Sequence, residues 1–251
     1  MDKIAALIPA RWASSRFPGK PVVPIAGKPM IQWVYERTKL ATSISDVLVA
    51  TDDERILHAV KKFGGTAVMT PSALPSGTDR VAYVAKDLDV DAVINVQGDE
   101  PLIDPKAIDV LAQTLLADSS TRMATLARKI TETSELNDPN IVKVVVDNNN
   151  YALYFSRAVV PYARDVEKNA WLLHFPYYDH IGIYAYRKEF LLELTELPIS
   201  MLEQAEKLEQ LRVLENGYKI KIGYVDAQPI CVDVPEDVIR VERRIQELGI
   251  Q

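Results

Sequence analysis

The chain is poor in the features that mark several functional classes. Among its 251 residues there is one cysteine, Cys231. A lone thiol closes no internal disulfide, which fits a reducing compartment, and a cytoplasmic protein is expected. No run approaches the ~18 apolar residues of a membrane span, so no stable membrane insertion is expected. The opening MDKIAALIP is too short an apolar stretch for a secretory signal. GxxxxGK[ST] and GxGxxG are both missing, which removes the Walker A loop and the dinucleotide fingerprint. Positive charge is in deficit: the net charge is -6, with 29 Lys and Arg against 35 Asp and Glu. A broad electrostatic grip on nucleic acid is therefore excluded, while a local cationic pocket remains allowed. Internal repeats and low-complexity tails are also missing. With 48% hydrophobic residues, the chain can bury a full-sized core, and a single domain over 1–251 is expected.

What is present begins at once. In KIAALIPARWASSRFPGKP an apolar strand runs into a loop carrying Arg11, Arg16 and Lys20 among small residues. Ala13, Ser14, Ser15 and Gly19 let backbone N–H groups approach an anion, while the cations supply charge. Arg presents a planar fork and Lys a compact point charge. Such a loop fits the phosphates of a nucleoside triphosphate and a developing pyrophosphate leaving group. A solvated basic loop is the alternative.

Strand and helix patterns then alternate. Strands are expected over 3–9, 46–50, 66–69 and 91–96, and helices over 29–41, 78–88 and 105–116, with a further helix in TDDERILHAVKKFGG whose buried face is Ile56, Leu57, Val60 and Phe63 and which Gly64 or Gly65 ends. This βαβα order predicts an α/β fold with a mostly parallel sheet covered by helices on both faces. Ligands gather at the carboxyl ends of the strands in such sheets, where Arg11, Asp52 and Asp99 fall. The second half is less regular. Strands are expected over 123–130, 142–146, 152–155, 180–186 and 219–224, with helices over 202–216 and 235–248. An aromatic insertion occupies 162–178. A smaller mixed β element over approximately 123–230 accounts for this half.

In VINVQGDEP, Asp99 follows a buried strand, a costly place for an unpaired carboxylate. Mg²⁺ explains it, because this hard cation takes carboxylate, water and phosphate oxygens. Glu100 is the weaker candidate beside it. Capping of the helix at Pro105 is the alternative role, and Asp104 is better spaced for that. In ICVDVPED, Asp237 is suited to the first turn of the last helix, which frees Asp233 as a second carboxylate. One ion or two fit this pair. SGTDR opens a helix, with Gly77 permitting close approach to a base and Arg80 reaching a base or phosphate; a plain capped surface helix is the other reading. YFSRA and DHIGIYAY add Arg157, suited to a carboxylate, with His180 and Tyr184 as donors to hydroxyls. Glu209 and Gln210 are adjacent on an expected helix, so they do not point the same way.

Together these motifs identify a family resemblance. IPARWASSRFPGKP, GKPMI, VATDDE, SGTDR, NVQGDEP, MATLA, DPNIVKVV, YALYFSRA, HIGIYAYR, EKLEQLR and VDVPED resemble, in order and over essentially the whole chain, the 3-deoxy-manno-octulosonate (Kdo) cytidylyltransferases. The resemblance implies a nucleotide-diphospho-sugar transferase-like fold, activation of Kdo with CTP for lipopolysaccharide assembly, a Mg²⁺ cofactor and a cytoplasmic homodimer. It implies that Arg11, Ser14, Arg16 and Lys20 contact the CTP phosphates, and that Gly77, Arg80 and Gln97 belong to the nucleotide pocket. Asp99 and Asp233 are implied as Mg²⁺ carboxylates. Arg157, His180, Tyr184, Glu209 and Gln210 are implied on the sugar side. One departure stands out: many members carry a histidine two positions before the serine of SGT, and here that position is Leu74. Similar enzymes with a comparable departure prefer the 8-amino analogue of Kdo, so Kdo is expected first and that analogue second, with another acidic sugar or a nucleotide-sugar binding protein without turnover as the further alternatives.

Overall fold

A computed structural model describes residues 2–13, 17–226 and 229–250. The strands in chain order are β1 (Ile4–Ala10), β2 (Pro24–Ile25), β3 (Lys28–Pro29), β4 (Asp46–Thr51), β5 (Ala67–Met69), β6 (Ala92–Asn95), β7 (Met123–Lys129), β8 (Lys143–Val146), β9 (Ala152–Ser156), β10 (Tyr178–Arg187) and β11 (Lys221–Tyr224). The helices are α1 (Met30–Lys39), α2 (Glu54–Lys62), α3 (Gly77–Ala85), α4 (Pro105–Leu116), α5 (Thr133–Asn137), α6 (Trp171–His174), α7 (Lys188–Glu196), α8 (Met201–Glu206), α9 (Gln210–Glu215) and α10 (Pro235–Leu248).

The main sheet runs β11-β7-β10-β6-β1-β4-β5. Pairing is parallel except at β10, which lies antiparallel between β6 and β7. The β8–β9 hairpin extends from the start of β10, where Tyr178 and Asp179 pair with Val144 and Lys143. Period-2 alternation divides β1 between two cores. Ile4, Ala6, Ile8 and Ala10 face α1, α2 and α4, while Ala5 and Leu7 face α3, α7 and α9. The expected parallel α/β sheet with a smaller mixed element is the observed fold.

Two differences have clear causes. The single helix expected over 202–216 is broken: Lys207 stands in the left-handed conformation (φ 54°, ψ 46°) and separates α8 from α9. Helix α7 was not expected, although Phe190, Leu191 and Leu194 have the helical spacing that buries one face.

A third cluster matters most for function. Ile25, Met30, Trp33, Val232, Val241 and Ile245 pack together, docking α10 on the β2–β3 hairpin and α1. Within the aromatic insertion, Trp171 is only 4% exposed and packs with Ile130, Leu136 and Tyr177. It belongs to the interior.

Candidate active site

Two clefts open where β1 and β6 end. One, of about 380 Å³, is bordered by Pro9, Ala10, Arg11, Ala13, Lys20, Pro21, Gly77, Gln97, Gly98 and Asp99. The other, of about 610 Å³, is bordered by Arg157, His180, Tyr184, Glu209, Gln210 and Asp233 among others. Gln97 and Asp99 border both. The clefts therefore meet at the segment after β6.

The two described ends of the phosphate-type loop are tied to each other. Gly19 takes φ 72° and donates its N–H to Trp12 O at 3.0 Å, closing the loop. The Arg55 guanidinium stacks 3.4 Å from the centre of the Trp12 ring and is itself held in a fork by Asp53. Ser14 and Arg16 lie outside the described residues. Lys20 donates to Asp99 Oδ2 at 2.8 Å and lies 3.6 Å from Asp233 Oδ1. Sequence positions far apart meet here because Val232 N–H donates to Asp99 O at 2.9 Å. Asp237 takes the capping role, accepting from the N–H groups of Asp233 and Val234. Asp104 caps α4 through Lys106 N. Asp99 and Asp233 are thus both turned to the cleft.

The donor set suits a hard cation. Two carboxylates converge on one point, now taken by the Lys20 ammonium, and Mg²⁺ is commonly held by one or two carboxylates plus substrate phosphates. Among the described residues no cluster of three or more His, Cys, Asp or Glu forms a metal cage. Further oxygens have to come from phosphate and water. Beside Asp99, Glu100 is buried and its Oε2 has no hydrogen-bond partner among the described residues, while Oε1 accepts from the Cys231 thiol at 3.7 Å. Burial, then the charge of Asp99, pushes the Glu100 carboxyl up to about 7.

Arg80 departs from expectation. Its side chain is 0% exposed, with Nη2 donating to Asp52 Oδ2 at 2.8 Å and Nη1 to Thr70 Oγ1. It borders neither cleft. The helix α3 directs it inward, because Ser76 caps the helix and Arg80 falls on the buried face. Asp52 is the partner that makes that burial tolerable. Gly77, by contrast, sits at the first turn of α3 against Pro9 and does border the smaller cleft. Leu74 borders neither cleft either; it lines a separate groove with Asp79, Tyr83 and Leu192.

The larger cleft is built from side chains that already satisfy one another. His180 Nε2 is 3.0 Å from Thr125 Oγ1, and the Thr125 hydroxyl donates to the carbonyl of Ile183. This arrangement has Nε2–H donating to Thr125 and leaves Nδ1 to accept from the Gln210 amide at 3.5 Å. Burial pushes the His180 pKa down to about 3, so the ring is neutral. Tyr184 donates to Gln210 Oε1 at 3.2 Å, and burial raises its pKa far above the usual phenol. Glu209 accepts from Thr78 Oγ1, and burial raises its carboxyl despite that bond. Glu209 and Gln210 both border the cleft although adjacent, because they stand at the start of α9 and not within one long helix. Arg157 borders it too, but Nε donates to Glu206 O and Nη1 to Pro139 O. Its full fork is not free. Arg128, missed by sequence reasoning, borders the same cleft with its donors on Asp179 and Glu135. Burial, partly opposed by Arg128, raises Asp179 to about 6.

This geometry can bind a polyphosphate on one side of Asp99 and a polyhydroxylated ligand on the other. A family model described as Cytidylyltransferase matches residues 5–221. The chain belongs to the cytidylyltransferase family. Within that family it is 51% identical to the 3-deoxy-manno-octulosonate cytidylyltransferase of Geotalea daltonii, over 98% of this chain and 100% of the relative. It is 50% identical to the 8-amino-3,8-dideoxy-manno-octulosonate cytidylyltransferase of Shewanella baltica, over 96% of this chain and 98% of the relative. A solved structure of CMP:2-keto-3-deoxy-manno-octonic acid synthetase complexed with CTP superimposes with a TM-score of 0.92 at 43% identity, covering 98% of this chain and 99% of that one. Among the described residues, no helix of this cytidylyltransferase is long and apolar enough to cross a membrane.

Proposed function

We propose that this cytidylyltransferase transfers CMP from CTP to 3-deoxy-D-manno-octulosonate, releasing pyrophosphate and supplying CMP-Kdo for lipopolysaccharide assembly. The observation that carries the reading is the pair of clefts sharing Gln97 and Asp99. It gives an acidic sugar a place beside a phosphate loop, as a two-substrate transfer requires. The relatives named for this reaction and the CTP complex add to it.

In the reaction, the anomeric hydroxyl of the sugar attacks the α-phosphorus. The new O–P bond forms as the α–β bridging bond breaks, the electron pair leaves with pyrophosphate, and the hydroxyl proton passes to water. Arg11 and Lys20 offset charge on the phosphates, with Ser14 and Arg16 of the same loop assigned to them as well. Asp99 and Asp233 would hold Mg²⁺, which when bound supplies polarisation of phosphate and hydroxyl oxygens. Lys20 must then turn from the two carboxylates to phosphate oxygens. His180, Tyr184, Glu209 and Gln210 orient the sugar hydroxyls. No covalent enzyme intermediate is needed, so Cys231 and Ser156 are not nucleophiles.

A second substrate is favoured by one feature. The Glu209 carboxylate borders the sugar-side cleft, and a carboxylate there can accept from an amine as readily as from a hydroxyl, which fits the 8-amino sugar. The reaction is placed in the cytoplasm, where CTP is available. A homodimer is also proposed. Leu153 on β9 is 60% exposed and Leu173 on α6 is 85% exposed, so large apolar side chains of the second half stand on the surface. Purified protein incubated with CTP, Mg²⁺ and either sugar should yield a CMP conjugate by mass spectrometry. No conjugate with either sugar overturns the function; a much higher kcat/KM for one of them decides the substrate.

A further inference from the structure

An acidic sugar brings a carboxylate, and the cleft that would take it is short of available positive charge. Arg128 gives its donors to Asp179 and Glu135. Arg157 gives Nε and Nη1 to backbone carbonyls, leaving Nη2 as its one uncommitted nitrogen. His180 is neutral. Carboxylates of Asp99 and Asp233 border the same space. One nitrogen of Arg157 cannot make the two-pronged contact that a guanidinium usually offers a carboxylate.

Lys207 supplies what is missing. It borders the sugar-side cleft, is exposed, and its ammonium has no hydrogen-bond or ion-pair partner among the described residues. It also stands beside Arg157, because Arg157 Nε donates to the carbonyl of Glu206, the preceding residue. Its backbone adds a second observation. Lys207 holds φ 54° at the end of α8, a conformation that glycine adopts without penalty and lysine does not. The junction enforces it: Leu208 N–H donates to Glu203 O, and Arg212 grips Glu203 through Nε and Nη2 at 2.8 and 2.7 Å. A strained non-glycine residue bordering a ligand cleft is where function offsets local cost.

We infer that Lys207 is a substrate-binding residue, completing with Arg157 Nη2 a two-pronged cationic site for the sugar's carboxylate. This rests on the acidic-sugar reading above. The test compares wild type with Lys207→Met, Lys207→Arg and Lys207→Gly, using the sugar acid and its carboxamide. Loss of a charge-assisted contact corresponds to about 10- to 100-fold. Lys207→Met should raise KM for the sugar acid by that factor, leaving KM for CTP and kcat within about twofold. The carboxamide should lose nothing further, and Lys207→Arg should restore most of the affinity. Lys207→Gly should lose sugar affinity equally while its Tm holds or rises, since the left-handed strain is relieved. Unchanged KM for the acid in Lys207→Met overturns the inference, as does equal loss for acid and carboxamide. If wild type makes no CMP conjugate, the functional reading itself falls, and that result is separate from either.

Discussion

The two clefts that meet at Asp99 are prepared in opposite ways. On the nucleotide side, opposite charges neutralise each other directly: Lys20 is held by Asp99 and approached by Asp233. On the sugar side, buried neutral groups are joined in a chain from Thr125 through His180 and Gln210 to Tyr184. In the proposed reaction the first would exchange its partners for phosphate and metal, because the same ammonium and carboxylates would serve both states. The second presents donors and acceptors whose orientation is fixed beforehand. One half is set for charge that changes during the reaction, the other for recognition that does not.

The strongest way to break this contrast is to neutralise the acids. Asp99→Asn or Asp233→Asn should lower CMP transfer by about 10²-fold or more, the scale of a lost transition-state interaction. Thermal unfolding should show the fold retained. Wild-type turnover with unchanged Mg²⁺ dependence in either variant would remove both from the metal role. Lys20→Met sharpens the same point from the other side. Turnover should fall by a comparable factor, yet calorimetry without CTP should show tighter Mg²⁺ binding, since the competing ammonium is gone. Weaker Mg²⁺ binding would refute the exchange of partners.

Much of this was legible in the sequence, and the failures have physical causes. Asp99 and Asp233 lie at strand-to-loop and loop-to-helix transitions, where residue type and neighbouring caps suffice to single them out. Asp104 and Asp237 do take the capping roles. The parallel half of the sheet is legible because its strands are continuous apolar runs. Arg80 was misjudged because its partner, Asp52, lies 28 residues away in sequence, and pairing across the fold leaves no local signal. The burial of Glu100 likewise leaves no local signal: only packing encloses it and leaves Oε2 without a partner among the described residues. The break at Lys207 was hidden because lysine is a good helix former, and the left-handed turn is imposed by the Arg212–Glu203 clamp.

Smaller effects test each half separately. Gly98 passes close to β1: a Cβ there would sit 2.7 Å from the Pro9 carbonyl oxygen. Gly98→Ala should cost about 1–3 kcal/mol and displace the segment shared by the clefts, read as a lowered denaturation midpoint. On the sugar side, the depressed pKa of His180 means that the neutral ring stabilises the fold fully above about 6.5, with the benefit lost as pH falls toward 3. The Tm gap between wild type and His180→Asn should therefore be widest at neutral pH and narrow on acidification. A constant gap from pH 8 to pH 4 would contradict the burial account. Smallest of all, Arg55→Ala removes the stack on Trp12. It should cost about 0.5–1 kcal/mol and raise KM for CTP a few-fold, leaving the sugar KM alone.

The docking of α10 has a consequence for how this protein comes into being. Asp233 lies beyond the end of the sheet and is delivered to Asp99 by Val232 and the packing of Val241 and Ile245. Among the described residues, every strand is already complete at Tyr224. During synthesis, the sheet can therefore assemble before the second acid has left the ribosome. A chain stopped at Tyr224 would keep every described strand and lack Asp233, so one of the two acids that meet Lys20 is made only after the sheet.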